Sequence, residues 1–432
     1  MWRIAAPLIL SNLSVPLLGM VDAAVLGHLD QASFLAGVAL AGAIFSLLFA
    51  GMNFLRMGTT GLTAQALGRQ DNSAIREVLG QALTVAIGIA AVLIALQWPI
   101  GTLAWQVLGG SPDVTDAAHT YFAIRIWGAP LTLASYALMG WFIGLQNARA
   151  PLLMVLVANT TNIVLDLVLV NLVGMTADGV AIASVCAEAL GIGTGAWLAA
   201  KSLRRYPANF HLQCLFDRVR YQQFFSVNRH ILVRTWVLVG TLSFITAQSV
   251  RFGEVVIAAN AILMNLQGVL SYGLDGLAQA AETLVGKAWG EQHASRLKRA
   301  VRVSLAWSLA CAAVFTATFW LAGPAFVGLL TDLPAVLATS QDYLPWLVIS
   351  PLVSVWSFLF DGVFVGTTWA REMRDVMLAS AVGVFLPAWW LSYDWGNHGL
   401  WLAFTLFMAA RGIGMAWIYR RRLQMPPLSQ WV

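Results

Sequence analysis

The stretch "AQALGRQDNSAIR" (64–76) returns 222 residues later as "GKAWGEQHASRLK" (286–298), setting Gly68 on Gly290, Gln70 on Gln292 and Ser73 on Ser295. A second pair keeps the register. "MGWFIGLQNAR" (139–149) meets "DGVFVGTTWAR" (361–371), with Gly140 on Gly362, Phe142 on Phe364, Gly144 on Gly366 and Arg149 on Arg371. Two separate agreements at one offset mark an internal repeat of about half the chain.

The repeat sits in a chain built for lipid. Of 432 residues, 59% are hydrophobic and only 10% charged, too apolar for a water-soluble globule. Apolar stretches long enough to cross a hydrocarbon core of about 30 Å recur along the whole length. They predict twelve transmembrane helices, over 4–28, 33–66, 76–98, 116–145, 151–172, 177–200, 222–250, 254–286, 297–322, 341–368, 373–393 and 397–419. Six crossings per half make the repeats parallel. The expected fold is therefore all-α and integral to the membrane: two six-helix bundles related by a pseudo-two-fold axis along the membrane normal. Residues 1–200 form the N-terminal lobe, 201–221 a cytoplasmic linker, and 222–432 the C-terminal lobe with a short basic tail. Glycines one turn apart, Gly140/Gly144, Gly362/Gly366 and Gly191/Gly195, let helices approach closely. Two like bundles around one axis leave a cleft, which alternating access requires.

Charge placement orients the chain. In this topology 19 of the 25 Lys and Arg residues fall on one face, while the other holds Arg251 beside six aspartates, so both termini are expected in the cytoplasm. The net charge of +5 follows from these short inside loops, and no nucleic-acid partner need be invoked. Cys186, Cys214 and Cys311 are too scattered for a disulfide framework or a metal site.

Within the N-terminal half, "VPLLGMVDAAVLG" (15–27) carries Asp22 inside an apolar run, and "NIVLD" (162–166) carries Asn162 and Asp166. The repeat counterparts of the two acids are Phe244 and Ala388, so the architecture of a half does not demand them. Both lie about six residues from the outer helix ends, roughly 9 Å deep at 1.5 Å per residue. Ser184 is at similar depth, and the i, i+4 spacing puts Asn162 and Asp166 on one helix face. Two carboxylates, an amide and a hydroxyl are thus expected to converge. A buried pair of carboxylates does not readily hold two charges, so it takes up or releases a proton according to water access. With the amide and hydroxyl oxygens, the same four residues also suit Na⁺. The alternative is structural neutralisation, by Arg125 or less well by Arg56. Pro7 removes a backbone hydrogen bond from the first helix and offers a hinge; a proline near a helix start, or a hinge at Pro16, are the other readings.

The strings "PLLGMVDAAVLGHL", "FLRMGTTGLTAQALG", "NIVLDLVLV", "LDGLAQAAETLVGKAWG" and "LFDGVFVGTTWAREMRD" resemble the multidrug and toxic compound extrusion (MATE) family, in particular its bacterial DinF-like branch, over nearly the whole chain. The resemblance implies a secondary transporter, not an enzyme. It would export lipophilic, often cationic compounds against an inward H⁺ or Na⁺ gradient and need no cofactor. The branch's coupling acids match Asp22 and Asp166, its amide Asn162 and its bending proline Pro7; Ser184 stands where Thr is common.

Other branches place coupling acids in the C-terminal half. Here Asp361 matches the acid of the tenth helix, but the seventh offers Arg229, His230 and Arg234 and no carboxylate. Asp275, Glu282 and Asp361 against Arg229, Arg234 and Arg411 look instead like a buried, mutually neutralised network.

No zinc-protease HExxH motif occurs, and the partial P-loop at Gly286-Lys287 lacks its first glycine and its Ser/Thr. The expectation is proton-coupled antiport, with Na⁺ as the alternative ion, by a monomer in a bacterial inner (plasma) membrane. Its partners are small lipophilic cations and membrane lipids. The rival reading is a flippase for a lipid-linked precursor, which a basic patch including Arg56, Arg229 and Arg234 would favour.

Overall fold

The computed structural model describes residues 1–27, 31–108, 111–208 and 218–424; Asp30, Cys214 and the middle of the expected linker, 209–217, lie outside them. All regular structure among the described residues is helical. The elements of the first half are α1 (Trp2–Gly27), α2 (Ala32–Met52), α3 (Phe54–Gly68), α4 (Asn72–Ala95), α5 (Gln97–Leu108), α6 (Pro112–Arg125), α7 (Ala129–Gly144), α8 (Arg149–Asp166) and α9 (Ala177–Leu203). The second half holds α10 (Arg218–Ser249), α11 (Glu254–Gly290), α12 (Ala294–Leu330), α13 (Pro334–Gly366), α14 (Ala370–Ser380), α15 (Leu386–Leu391) and α16 (Asn397–Leu423). Ten helical stretches among the described residues are long and apolar enough to cross a membrane. Trp98, Leu172, Trp320, Leu329 and Trp390 are each more than 70% exposed, an outward apolar surface suited to lipid.

Several expected spans are interrupted, for local reasons. The span 33–66 breaks between α2 and α3 at Asn53, whose side-chain oxygen accepts from Arg56 Nε at 3.0 Å. The span 116–145 breaks at a 3₁₀ turn, Ile126–Gly128, where Pro130 has no N–H to offer the carbonyl of Ile126. After Asp166 the α8 helix widens into a π-helical stretch, Leu167–Leu172, ended by Val173 N–H on the carbonyl of Val168 at 3.0 Å. A second π stretch, Ala381–Phe385, separates α14 from α15.

The 222-residue register reappears in three dimensions. Gln70, Gln146, Gln292 and Thr368 have φ of 58°, 62°, 54° and 58°, the non-glycine residues recorded in the left-handed region. They form two pairs at the repeat offset, and each ends a helix in the same way. The residue after each donates to a carbonyl five back: Asp71 to Ala66 (3.0 Å), Asn147 to Phe142 (2.9 Å), His293 to Ala288 (3.4 Å) and Trp369 to Phe364 (2.9 Å). The glycines agree as well. A Cβ on Gly140 would strike the carbonyl of Arg56, and one on Gly362 that of Ala278, the counterpart of Arg56. A Cβ on Gly144 would sit 2.8 Å from the Thr60 carbonyl, and one on Gly366 against that of its counterpart, Glu282. Thus α3 meets α7 as α11 meets α13.

Contacts divide the chain into two compact units, Leu10–Phe224 and Met1–Ile9 with Phe225–Val432. The repeat alone assigns 1–200 to one lobe; the contacts place the first nine residues with the C-terminal helices. The reason is packing: Ala5 is fully buried with Leu277 and Ala280, Trp2 stacks on Trp307 at 5.4 Å, and Ile9 covers Gly276. Pro7 therefore stands in one unit and Asp22, on the same helix, in the other. The first unit's core gathers Trp141, Phe142, Ile75 and Met154, with Trp141 Nε1 donating to the Ile75 carbonyl at 2.8 Å. The second unit has an apolar core that includes Phe319, Leu347, Phe385, Phe404 and Phe407. Cys186 and Cys311 are free thiols.

Candidate functional site

Three helices of the Leu10–Phe224 unit each supply two polar side chains one turn apart: Tyr121 and Arg125 from α6, Asn162 and Asp166 from α8, Ser184 and Glu188 from α9. Helix α1 adds Asp22. Asn162 and Asp166 are 1% and 0% exposed. With its amide nitrogen turned toward the acids, Asn162 donates to Asp22 Oδ1 and Asp166 Oδ2, 3.1 Å each. Its oxygen then faces Ser184 Oγ at 3.4 Å. The four residues singled out from the sequence are therefore brought together.

Both carboxylates thus crowd one amide nitrogen, and two like charges so close together favour sharing a proton. Among the described residues no donor reaches Asp166 Oδ1. The π-helical stretch begins directly after Asp166, at the point where the backbone must carry this side chain inward.

Arg125 does not neutralise these acids by pairing. Its guanidinium is held in a two-pronged bridge by Glu188, Nη2 to Oε1 at 2.5 Å and Nη1 to Oε2 at 3.0 Å, and Thr132 Oγ1 donates to Oε2 at 2.8 Å. The guanidinium also lies over the Phe45 ring, 5.7 Å from its centre. Gly128 makes room for the bridge: a Cβ there would fall 2.5 Å from Arg125 Nη1 and 3.1 Å from Glu188 Oε2. Tyr121 stands one turn before Arg125 on α6, as Ser184 stands one turn before Glu188 on α9, so each of these helices carries one member of the bridge. Sequence reasoning missed Tyr121, Thr132, Gly128 and Glu188; the available signal was spacing, since Tyr121–Arg125 and Ser184–Glu188 repeat the i, i+4 step of Asn162–Asp166.

A cavity of about 340 Å³ opens beside the cluster within the same unit. Asn162, Ser184, Arg125, Glu188, Arg56 and Tyr136 supply polar wall, and Met139, Met154, Val155 and Ala158 apolar wall. Asp22 and Asp166 do not line it; Asn162 and Ser184 stand between them and the space.

The second unit differs. Asp361 is buried between Arg234 and Arg411, with both guanidiniums on Oδ2, the Arg411 contact at 2.7 Å. That part of the expected network is present. Arg229 corrects it, because it is exposed: five residues along a helix is about 140° around its axis, so Arg229 cannot share the inward face of Arg234. Asp275 is half-buried and accepts from Gln279 Nε2 at 2.6 Å, and Glu282 is buried on α11. His230, one turn before Arg234, contacts Arg374 at 2.9 Å. At the repeat counterpart of Asp22, Phe244 packs edge-on against Phe385, ring centres 5.6 Å apart.

Comparison with known proteins agrees with this architecture. The MatE family model matches residues 7–168 and 231–390, one block in each half. DNA damage-inducible protein F of Escherichia coli (strain K12) is 40% identical over 422 residues, covering 98% of this chain and 92% of the relative. A probable multidrug resistance protein NorM of Rhizobium meliloti is 26% identical, covering 98% and 92%. Among solved structures, a MATE transporter in its bent conformation superposes with a TM-score of 0.87 at 18% identity, covering 98% of this chain and 94% of that one. A Pyrococcus furiosus transporter of the MOP superfamily, described as having a binding pocket of reversed polarity, gives 0.88 at 17% identity, covering 98% and 96%. At such identities the likeness is one of fold. The family match and the E. coli relative go further: this chain belongs to the MatE family, whose members are secondary membrane transporters that extrude drugs and toxic compounds.

Proposed function

We propose that the chain is a cation-coupled antiporter that exports lipophilic cations by alternating access, driven by protons taken up at Asp22 and Asp166. The observation that carries this reading is the Asn162 amide donating to both acids at the edge of a 340 Å³ cavity. A ligand shifts a conformational equilibrium only through differential affinity for its states, so cargo and proton are coupled by favouring different arrangements of this cluster. With its nitrogen toward the acids, Asn162 suits a proton-bearing pair; Na⁺, the alternative ion, needs the amide oxygen turned inward with Ser184 Oγ as a further ligand. The methionine, valine and alanine wall suits the apolar body of a lipophilic cation, and the polar residues opposite it suit the charged centre.

The remaining features of the reading are a monomer in the bacterial inner membrane with both termini cytoplasmic. Lobes 1–200 and 222–432 are joined by a 201–221 linker, and α1 bends at Pro7. Asp361, Arg234 and Arg411 serve as a structural counter-charge cluster in the second lobe. The flippase reading asks for a basic patch of Arg56, Arg229 and Arg234; Arg234 is engaged by Asp361 and Arg56 by Asn53, Arg229 is exposed, and of the three Arg56 alone lines the 340 Å³ cavity. Efflux of a lipophilic cation from proteoliposomes, with pH and Na⁺ gradients imposed separately, tests the proposal. Asp22→Asn is expected to abolish the response to the pH gradient. Parent-like export by this variant under every gradient would make Asp22 a structural residue.

A further inference from the structure

The bridge between Arg125 and Glu188 is not explained by the role given to the acids. Glu188 is a carboxylate on the cavity wall, and its side chain keeps 22% exposure while that of Arg125 keeps 13%. Both of its oxygens are occupied, one by Arg125 alone and one by Arg125 and Thr132. A cation entering the cavity thus meets a negative group already covered by a positive one. The bridge stands next to the acid cluster: Glu188 is one turn along α9 from Ser184, Ser184 meets Asn162, and Asn162 meets Asp22 and Asp166. Asp22 also lies in the field of Arg125. Gly128 leaves the guanidinium room beside the 3₁₀ turn on which it is mounted.

We propose that Glu188 is the carboxylate that faces the cargo, and that Arg125 is its exchangeable cover, shared between Glu188 and the Asp22–Asp166 pair. This deepens the antiport reading and rests on its assignment of proton uptake to those acids. While the pair holds its proton, Arg125 stays on Glu188 and the cavity presents no net negative charge at this wall. Loss of the proton leaves a second carboxylate charge in a poorly solvated place, and the guanidinium is drawn toward it. Glu188 is then open to a cation. Proton return restores the cover and expels the cargo, so one arginine makes the two occupancies exclude each other. The other charged and titratable groups around this exchange are Tyr121 on α6, Arg56 on α3 and Tyr136 on α7.

The test uses two ions of nearly equal size and opposite charge, tetraphenylphosphonium and tetraphenylborate, bound to the purified full-length protein in detergent. Glu188→Gln is expected to weaken tetraphenylphosphonium at least tenfold and strengthen tetraphenylborate, and Arg125→Gln to strengthen tetraphenylphosphonium. The double variant keeps the wall's charge balance and is expected to fold where a single variant fails, with the parent's charge preference gone. Asp22→Asn, which cannot attract Arg125, is expected to weaken tetraphenylphosphonium. If Glu188→Gln, or the double variant, keeps the parent's preference while Asp22→Asn still abolishes pH-driven efflux, the Glu188 assignment is overturned and the antiport reading survives. If Glu188→Gln shows the charge effect but Asp22→Asn changes neither binding nor efflux, both the exchange and the antiport reading fall.

Discussion

The two units put opposite chemistry on one repeated scaffold. At matched positions, Asp22 corresponds to Phe244, Asp166 to Ala388, Ser184 to Leu406, Glu188 to Ala410 and Arg125 to Leu347. The Leu10–Phe224 unit thus has a polar centre beside a cavity, whereas its repeat puts Leu347 in an apolar core with Phe244 and Ala388 packed against it and leaves Leu406 exposed. The second unit concentrates its buried charge elsewhere, on Asp361 with Arg234 and Arg411, whose counterparts Met139, Asn12 and Ala189 carry none. What the halves share is the close packing of glycine-bearing helices and the four left-handed helix ends. The repeat therefore supplies a frame, and each half places its costly buried charge differently: beside a cavity in one, between helices α10, α13 and α16 in the other, which on the proposed reading separates exchange from holding.

That contrast can be broken most decisively at Asp361. Asp361→Asn leaves two buried guanidiniums facing each other without a counter-charge, and we expect a loss of about 4 kcal/mol of stability, read as a large fall in thermal unfolding temperature. Asp166→Asn is the matching experiment in the first unit. It removes a carboxylate from a crowded acidic pair, so unfolding should shift little while pH-driven efflux falls at least a hundredfold, equivalent to about 2.7 kcal/mol. Equal destabilisation by the two substitutions would erase the distinction between a holding site and an exchanging one. Gly140→Ala and Gly362→Ala sharpen the comparison from the side of likeness. Each places a methyl against the carbonyl of a matched residue, so both should cost a similar amount, about 2 kcal/mol, and a difference between them would show the halves packing unequally. Gly128→Ala has a smaller, local effect: we expect the Arg125–Glu188 bridge to loosen at a cost of about 1 kcal/mol, with cation binding altered and pH-driven coupling retained in part.

Much of this was legible in the sequence because lipid constrains it so strongly. The apolar spans, the 222-residue register and the i, i+4 placement of Asn162 and Asp166 each follow from one-dimensional spacing, and the four candidate cluster residues do converge. The helix breaks were not legible. Pro130 marks the 126–128 turn only in hindsight, Asn53 is a single polar residue within a long apolar run, and the π-helical stretch after Asp166 has no compositional mark. Pairing was the other gap. Arg125 had several carboxylates within plausible depth, and which one it meets depends on how α6 and α9 approach through Gly128, not on hydropathy. Arg229 was misplaced for a simpler reason: its 140° separation from Arg234 was available in the numbering and was outweighed by depth alone.

The left-handed helix ends carry a practical consequence. Gln70, Gln146, Gln292 and Thr368 bear side chains in a conformation glycine enters freely, each storing about 1 kcal/mol of avoidable strain. Replacing Gln292 or Thr368 with glycine should give a sturdier specimen for spectroscopy and crystal growth, its benefit visible as a few degrees in a melting scan, with the chemistry of the polar half untouched.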